Sequence, residues 1–165
     1  MPDRAMLRRT LLSSCAATLI AGCRVGQPSE VMPDAGLVGC YHLEAGPWLS
    51  PAGTPLDPSP LATYGFVVPA VVELRPQEST APVAGHWVLL PQPDGGPFRS
   101  ATWRGRNDSL DLEWSTSGQL GDAMLLAKLG LAHTGEYRGR ATVETDYLDP
   151  RPYRVIIARR APCAG

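Results

Sequence analysis

Ser109-Leu110-Asp111-Leu112-Glu113-Trp114-Ser115 decides the fold class. Leu110, Leu112 and Trp114 fall on one side of an extended chain and Asp111 and Glu113 on the other, the period-two pattern of a strand with one wet face. The residues leading into it, Arg106-Asn107-Asp108-Ser109, form a short link that fits a tight hairpin. Further along, Tyr137, Gly139, Ala141 and Val143 alternate with Arg138, Arg140, Thr142 and Glu144. Gly139 and Ala141 make the inner face of that strand narrow. Continuing outward in both directions gives eight candidate strands, at 39–45, 67–75, 85–90, 100–106, 109–115, 123–129, 136–145 and 153–160, separated by Gly, Pro, Asn and Asp. No amphipathic helix of useful length interrupts them, and the 17 glycines and 17 prolines of the 165-residue chain disfavour long helices.

Only the first link between strands is long enough for a parallel crossover, so the reading is all-β, an antiparallel up-and-down arrangement. In an eight-strand meander the first and last strands run in opposite directions, and a closed sheet makes them neighbours and removes its edges.

The N-terminus carries a different signal. Arg4, Arg8 and Arg9 precede an apolar run from Thr10 to Ile20, which closes on Ala21-Gly22 before Cys23. Basic region, apolar region and small-residue cleavage site are the parts of a secretory signal, and the apolar run falls short of the ~20 residues that span a bilayer. Ile20-Ala21-Gly22-Cys23 resembles the bacterial lipobox. The resemblance implies that residues 1–22 are removed and that Cys23 is lipidated, leaving the protein held on a membrane by its acyl chains. Arg24 stands where inner-membrane retention would favour Asp, so the outer membrane is expected in a cell that has two. Arg8-Arg9-Thr10-Leu11-Leu12 also resembles a twin-arginine export signal, with general secretion the competing route. Residues 24–38 have no clear period and read as a flexible tether, which places the folded domain at 39–165.

Export informs the cysteines. With Cys15 removed and Cys23 lipidated, Cys40 and Cys163 remain in a compartment where disulfides form. Cys40 lies at the start of the first strand and Cys163 just past the end of the last, so a bridge between them would staple the seam of a closed barrel. The alternatives are two unbridged buried thiols or a metal site, for which the nearby sequence offers only His42 as a further ligand.

The pattern of strands resembles the lipocalin and wider calycin group of small ligand-binding barrels. That group opens on Gly-x-Trp, its ring packed against a basic residue of the last strand. Gly39-Cys40-Tyr41 and Arg159-Arg160 stand in those places here. The resemblance implies a lid formed by the proline-rich loop 46–64, with the links 91–98, 116–122 and 146–152 sharing its rim. Tyr41, Trp87, Trp103, Trp114 and Tyr137 are the candidate lining of an apolar ligand cavity. A filled core is the competing reading, since eight strands enclose a space that side chains can fill or that can hold one small ligand. Gly105, Gly139 and Ala141 would create room, or let the tryptophans fit.

The remaining chemistry is sparse. His42, His86 and His133 are far apart, and there is no Gly-x-Ser-x-Gly elbow or His-Glu-x-x-His pair. Asp111 and Glu113 neighbour each other on a face expected to be wet. No enzymatic activity and no cofactor are expected. The net charge of −1 gives no basic excess for nucleic acid, and the sequence shows no polybasic run for anionic lipid. The expected function is a lipid-anchored cell-envelope protein that binds a small apolar ligand in its barrel. The alternative is a structural or protein-interaction lipoprotein with a filled core.

Overall fold

The computed structural model describes residues 34–57, 67–79, 85–94, 98–106, 108–116, 124–145 and 151–163. The signal segment, Cys23, most of the tether and residues 58–64 of the proline-rich loop lie outside the described residues, as do most of the links 116–122 and 146–152.

Eight strands form, in the expected order: β1 (Gly39–Ala45), β2 (Val71–Glu78), β3 (Trp87–Leu90), β4 (Phe98–Arg106), β5 (Ser109–Thr116), β6 (Met124–Leu131), β7 (Tyr137–Glu144) and β8 (Tyr153–Ala161). Each pairs antiparallel with its sequence neighbours, and β1 pairs with β8 from Cys40↔Ala161 to Ala45↔Ile156, closing the barrel. The disulfide is made: Cys40 and Cys163 are bonded across a Cα separation of 5.2 Å, at the seam. Alternation sets which side chains enter. Leu110, Leu112 and Trp114 of β5 are buried, and they face Leu125, Ala127 and Leu129 of β6 in register.

Seven of the eight strands differ from the expected bounds by one to four residues, and the shifts in β2 and β4 have a local reason. β2 begins at Val71 instead of residue 67, and Val67 is 83% exposed. β2 then runs on to Glu78 through a register shift between Leu74 and Glu78, and Pro76, which has no N–H to give, sits in that irregular stretch. β4 starts two residues earlier than expected, at Phe98, where a second register shift between Phe98 and Ser100 turns the Phe98 ring into the core. β3 is short, and Gln92 extends its reach. The Gln92 amide donates to the carbonyls of Leu89 and Ala101 at 2.7 Å each, and its oxygen accepts from the Ala101 N–H at 3.1 Å. One side chain thus satisfies backbone groups that a longer β3 would have paired.

Strand direction gives the barrel two unlike ends. The stapled end carries residues 34–38, the disulfide and the short β4–β5 and β6–β7 turns. At the far end β1, β3, β5 and β7 finish and β2, β4, β6 and β8 begin.

Candidate functional site

The five aromatic residues expected to line the interior do point into it. Trp87 and Trp103 are directly paired across β3 and β4, with ring centres 5.2 Å apart, and the Trp103 indole N–H donates to the Arg75 carbonyl at 3.0 Å. Tyr41 meets Tyr137 edge-on at 6.2 Å. Trp114 is fully buried beside them in the same core cluster. A void large enough for water would leave its walls exposed, yet Leu74, Leu89, Trp103, Leu112, Trp114 and Leu125 are all 0% exposed. Among the described residues, the interior is a packed core.

Gly105 and Gly139 serve that packing through close backbone approach, where the expectation was that they create room or let the tryptophans fit. A Cβ added at Gly139 would stand 1.9 Å from the Lys128 carbonyl oxygen, so this glycine permits close approach of β7 to β6. At Gly105 the added atom would meet the Ser109 carbonyl oxygen at 2.6 Å and the Leu37 side chain at 2.8 Å.

The stapled end is closed by residues assigned to the tether. Residues 34–38 enter the fold: Asp34 to Leu37 makes a turn, and Leu37 is buried in the core cluster. The Tyr41 hydroxyl donates to the Leu37 carbonyl at 2.9 Å. The Arg160 guanidinium lies over the Tyr41 ring at 5.3 Å, donates to the Val38 carbonyl at 3.1 Å, and donates also to that of Gly36. Of the two arginines ending β8, then, Arg160 packs on the strand-one aromatic. Arg159 points outward to Glu44 and Glu136. Gly39 sits at φ 135°, and a Cβ there would press on the Arg160 guanidinium at 2.9 Å, so both its backbone and its missing side chain are used. Burial is the main cause holding the Tyr41 and Tyr137 phenols above their ordinary pKa.

The far end is closed by Trp48, which the sequence reading left in the loop. Leu49 exchanges two backbone hydrogen bonds with Tyr153, and Leu56 donates to the Trp48 carbonyl. The described part of the loop is therefore pinned to β8, with Trp48 in the core cluster. Arg154 projects from the inward face of β8. Its guanidinium lies 5.3 Å from the Trp48 ring centre, and its Nε donates to the Gly46 carbonyl at 3.0 Å. It forms no ion pair among the described residues, and desolvation pulls its pKa below the ordinary arginine value. The buried Trp48 Nε1–H has no acceptor there either. The β8 alternation 154, 156, 158, 160 was the sequence signal that places Arg154 and Arg160 inside, one at each end. Leu56 in the loop, Val67 ahead of β2 and Val71 at its first position are exposed apolar side chains.

The histidines stay apart. His42 and His133 are exposed, whereas His86 is buried on the outer wall, with Nδ1 3.2 Å from the Thr102 hydroxyl and 3.9 Å from a Glu113 oxygen. Asp111 and Glu113 share the outer face, as the alternation requires, and Asp111 is paired with Arg104 at 3.0 Å. No protein-family model, curated protein or solved structure matches this chain.

Proposed function

We propose that this is a lipid-anchored protein of the cell envelope, on the outer membrane where there are two, and that it works without catalysis as a scaffold. In this reading it meets a partner protein at the far end of a filled barrel. The packed interior carries the choice of scaffold over carrier, because a carrier needs room that these side chains occupy. The tripartite N-terminus and the lipobox resemblance support the anchor at Cys23. The folded chain begins at the stapled end, so the anchor leaves the far end facing away from the membrane. Arg154, without an ion-pair partner among the described residues, lies by Trp48, and exposed Leu56 is on the segment hydrogen-bonded to Trp48, an arrangement that suits a partner offering an acidic group beside an apolar one.

Two measurements test this. Replacing Cys23 with Ser should move the protein from the membrane to the soluble fraction of its host; retention on the membrane sinks the anchor. Native mass spectrometry of protein purified from its own host should give the mass of the polypeptide and its acyl chains alone. An additional bound small molecule would instead favour the carrier reading, with a cavity opened by displacement of Trp48 or Leu37.

A further inference from the structure

The strand register assembles a basic surface that neither the composition nor the linear sequence reveals. On the outer wall of four consecutive strands, Arg104, Asp111, Lys128 and Arg140 stand side by side, each the register partner of the next. One pleat closer to the stapled end, Arg106, Ser109, Gly130 and Arg138 form a second such row. No polybasic run marks this surface in the sequence, because these five cations are scattered over three strands of a chain with a net charge of −1. Folding gathers them. All five are exposed, and they form a half-collar around the stapled end of the barrel.

The carboxylates nearby cancel it only in part. Asp111 is engaged by Arg104 and Glu136 by Arg159, which leaves Glu113, one pleat further from the stapled end and 3.9 Å from His86, and Asp108 in the β4–β5 turn. Arg106, Lys128, Arg138 and Arg140 form no ion pair among the described residues. Lys128 and Arg140 are direct cross-strand partners, so their like charges are unfavourably close, and Arg140 relieves part of this by lying over the Tyr153 ring at 4.6 Å. Anionic groups lying between them would turn the remaining repulsion into attraction. Leu131, at the stapled end of β6 and paired with Tyr137, is 48% exposed beside Arg138.

We propose that this half-collar, formed by Arg104, Arg106, Lys128, Arg138 and Arg140 with Leu131 at its edge, docks on the anionic phospholipid headgroups of the membrane that carries the anchor. The inference rests on the anchor reading for its orientation. Residues 34–37 cross the stapled end, with Leu37 against Gly105 of β4, so the tether from Cys23 delivers this end to the bilayer. The two rows are one pleat apart, about 7 Å. Both therefore fit within the roughly 8–10 Å over which a charged surface acts at physiological salt. Arginine stems are long enough to bring their heads to phosphate while their methylenes stay on the barrel wall.

The test uses the chain from residue 23 onward with Cys23→Ser, which keeps every described residue and removes the acyl anchor. Co-sedimentation is measured with vesicles of phosphatidylcholine alone and of phosphatidylcholine mixed with phosphatidylglycerol. Binding is expected to the mixed vesicles only, and to fade as salt is raised. Each cation neutralised near such a surface weakens binding roughly fivefold, so the combined Arg106→Gln, Lys128→Gln and Arg138→Gln variant should bind about a hundredfold more weakly. Arg106→Lys with Arg138→Lys should bind like the parent, and thermal unfolding should verify that every variant is folded. Equal binding to both vesicle types, no binding to either, or no effect of neutralisation overturns the proposal. Because the assay contains no acyl chain, its failure is separate from failure of the Cys23 fractionation experiment.

Discussion

Tyr41 is held from three directions: Tyr137 meets its ring edge-on, Arg160 covers its face, and its hydroxyl donates to the Leu37 carbonyl. That hydroxyl ties the first described turn of the chain to the floor of the barrel. Tyr41→Phe removes the donor and leaves a buried carbonyl unsatisfied, a cost of about 1–2 kcal/mol, which urea unfolding should register as a lower midpoint. The pH dependence carries a second signature. The folded phenol has a pKa above 10.0, mainly through desolvation, with Arg160 pulling the other way. The fold therefore favours the protonated form. The stability this contributes is fully present below the unfolded phenol value and is lost as pH rises through the higher folded one. The parent's unfolding midpoint should fall above about pH 10, and the fall should be shallower in Tyr41→Phe, with Tyr137 accounting for what remains. An identical alkaline limb in both proteins would mean that Tyr41 is not the titrating group. Tyr41 and Arg160 were legible only through the resemblance of Gly39-Cys40-Tyr41 and Arg159-Arg160 to an opening aromatic packed on a basic final strand. Trp48 was not: it sits among prolines with no period to mark it as inward-facing. Leu37 has the same difficulty, since Gly36-Leu37-Val38-Gly39 carries no period that marks one side chain as inward.

Among the elements, β5 and β7 declared themselves through alternation, whereas β2 and β4 shifted where an irregular register allowed an extra residue. Periodicity identifies a strand's faces, but a bulge changes the count without changing composition. The fit of β6 to β7 depends on Gly139, whose absent side chain leaves room for the Lys128 carbonyl. Gly139→Ala should force these strands apart and cost about 1–3 kcal/mol or more, as overpacking does. Gly130→Ala provides the contrast on the neighbouring strand. There the nearest atom to the added carbon, the Asp108 carbonyl oxygen, is an ordinary 3.9 Å away, so a small change in melting temperature is expected. Comparable losses from both would show that strand glycines matter here through chain flexibility instead of the close approach at Gly139.

At the scale of the molecule, the closed sheet concentrates its topological demand at one seam, where strands from opposite ends of the folded chain must find each other. β1 and β8 pair over six residues, and Arg159 of β8 bridges Glu44 of β1 and Glu136 beside β7, so the seam has support apart from the disulfide. The bridge adds a constraint that acts chiefly on the unfolded chain. Cys40 and Cys163 are separated by 123 positions, so nearly the whole folded region lies within the covalent loop. The chain-entropy estimate for a loop of this size is about 4–5 kcal/mol. Cys40→Ala with Cys163→Ala should retain the far-ultraviolet signature of the barrel, because the ladder and ion pairs remain. Its unfolding midpoint in urea should drop, and the dependence of free energy on urea should steepen, because an unlinked unfolded chain exposes more surface. A lower midpoint with an unchanged slope would locate the stabilisation in native contacts at the seam. An unchanged midpoint would show that the β1–β8 pairing closes the barrel without help from the staple.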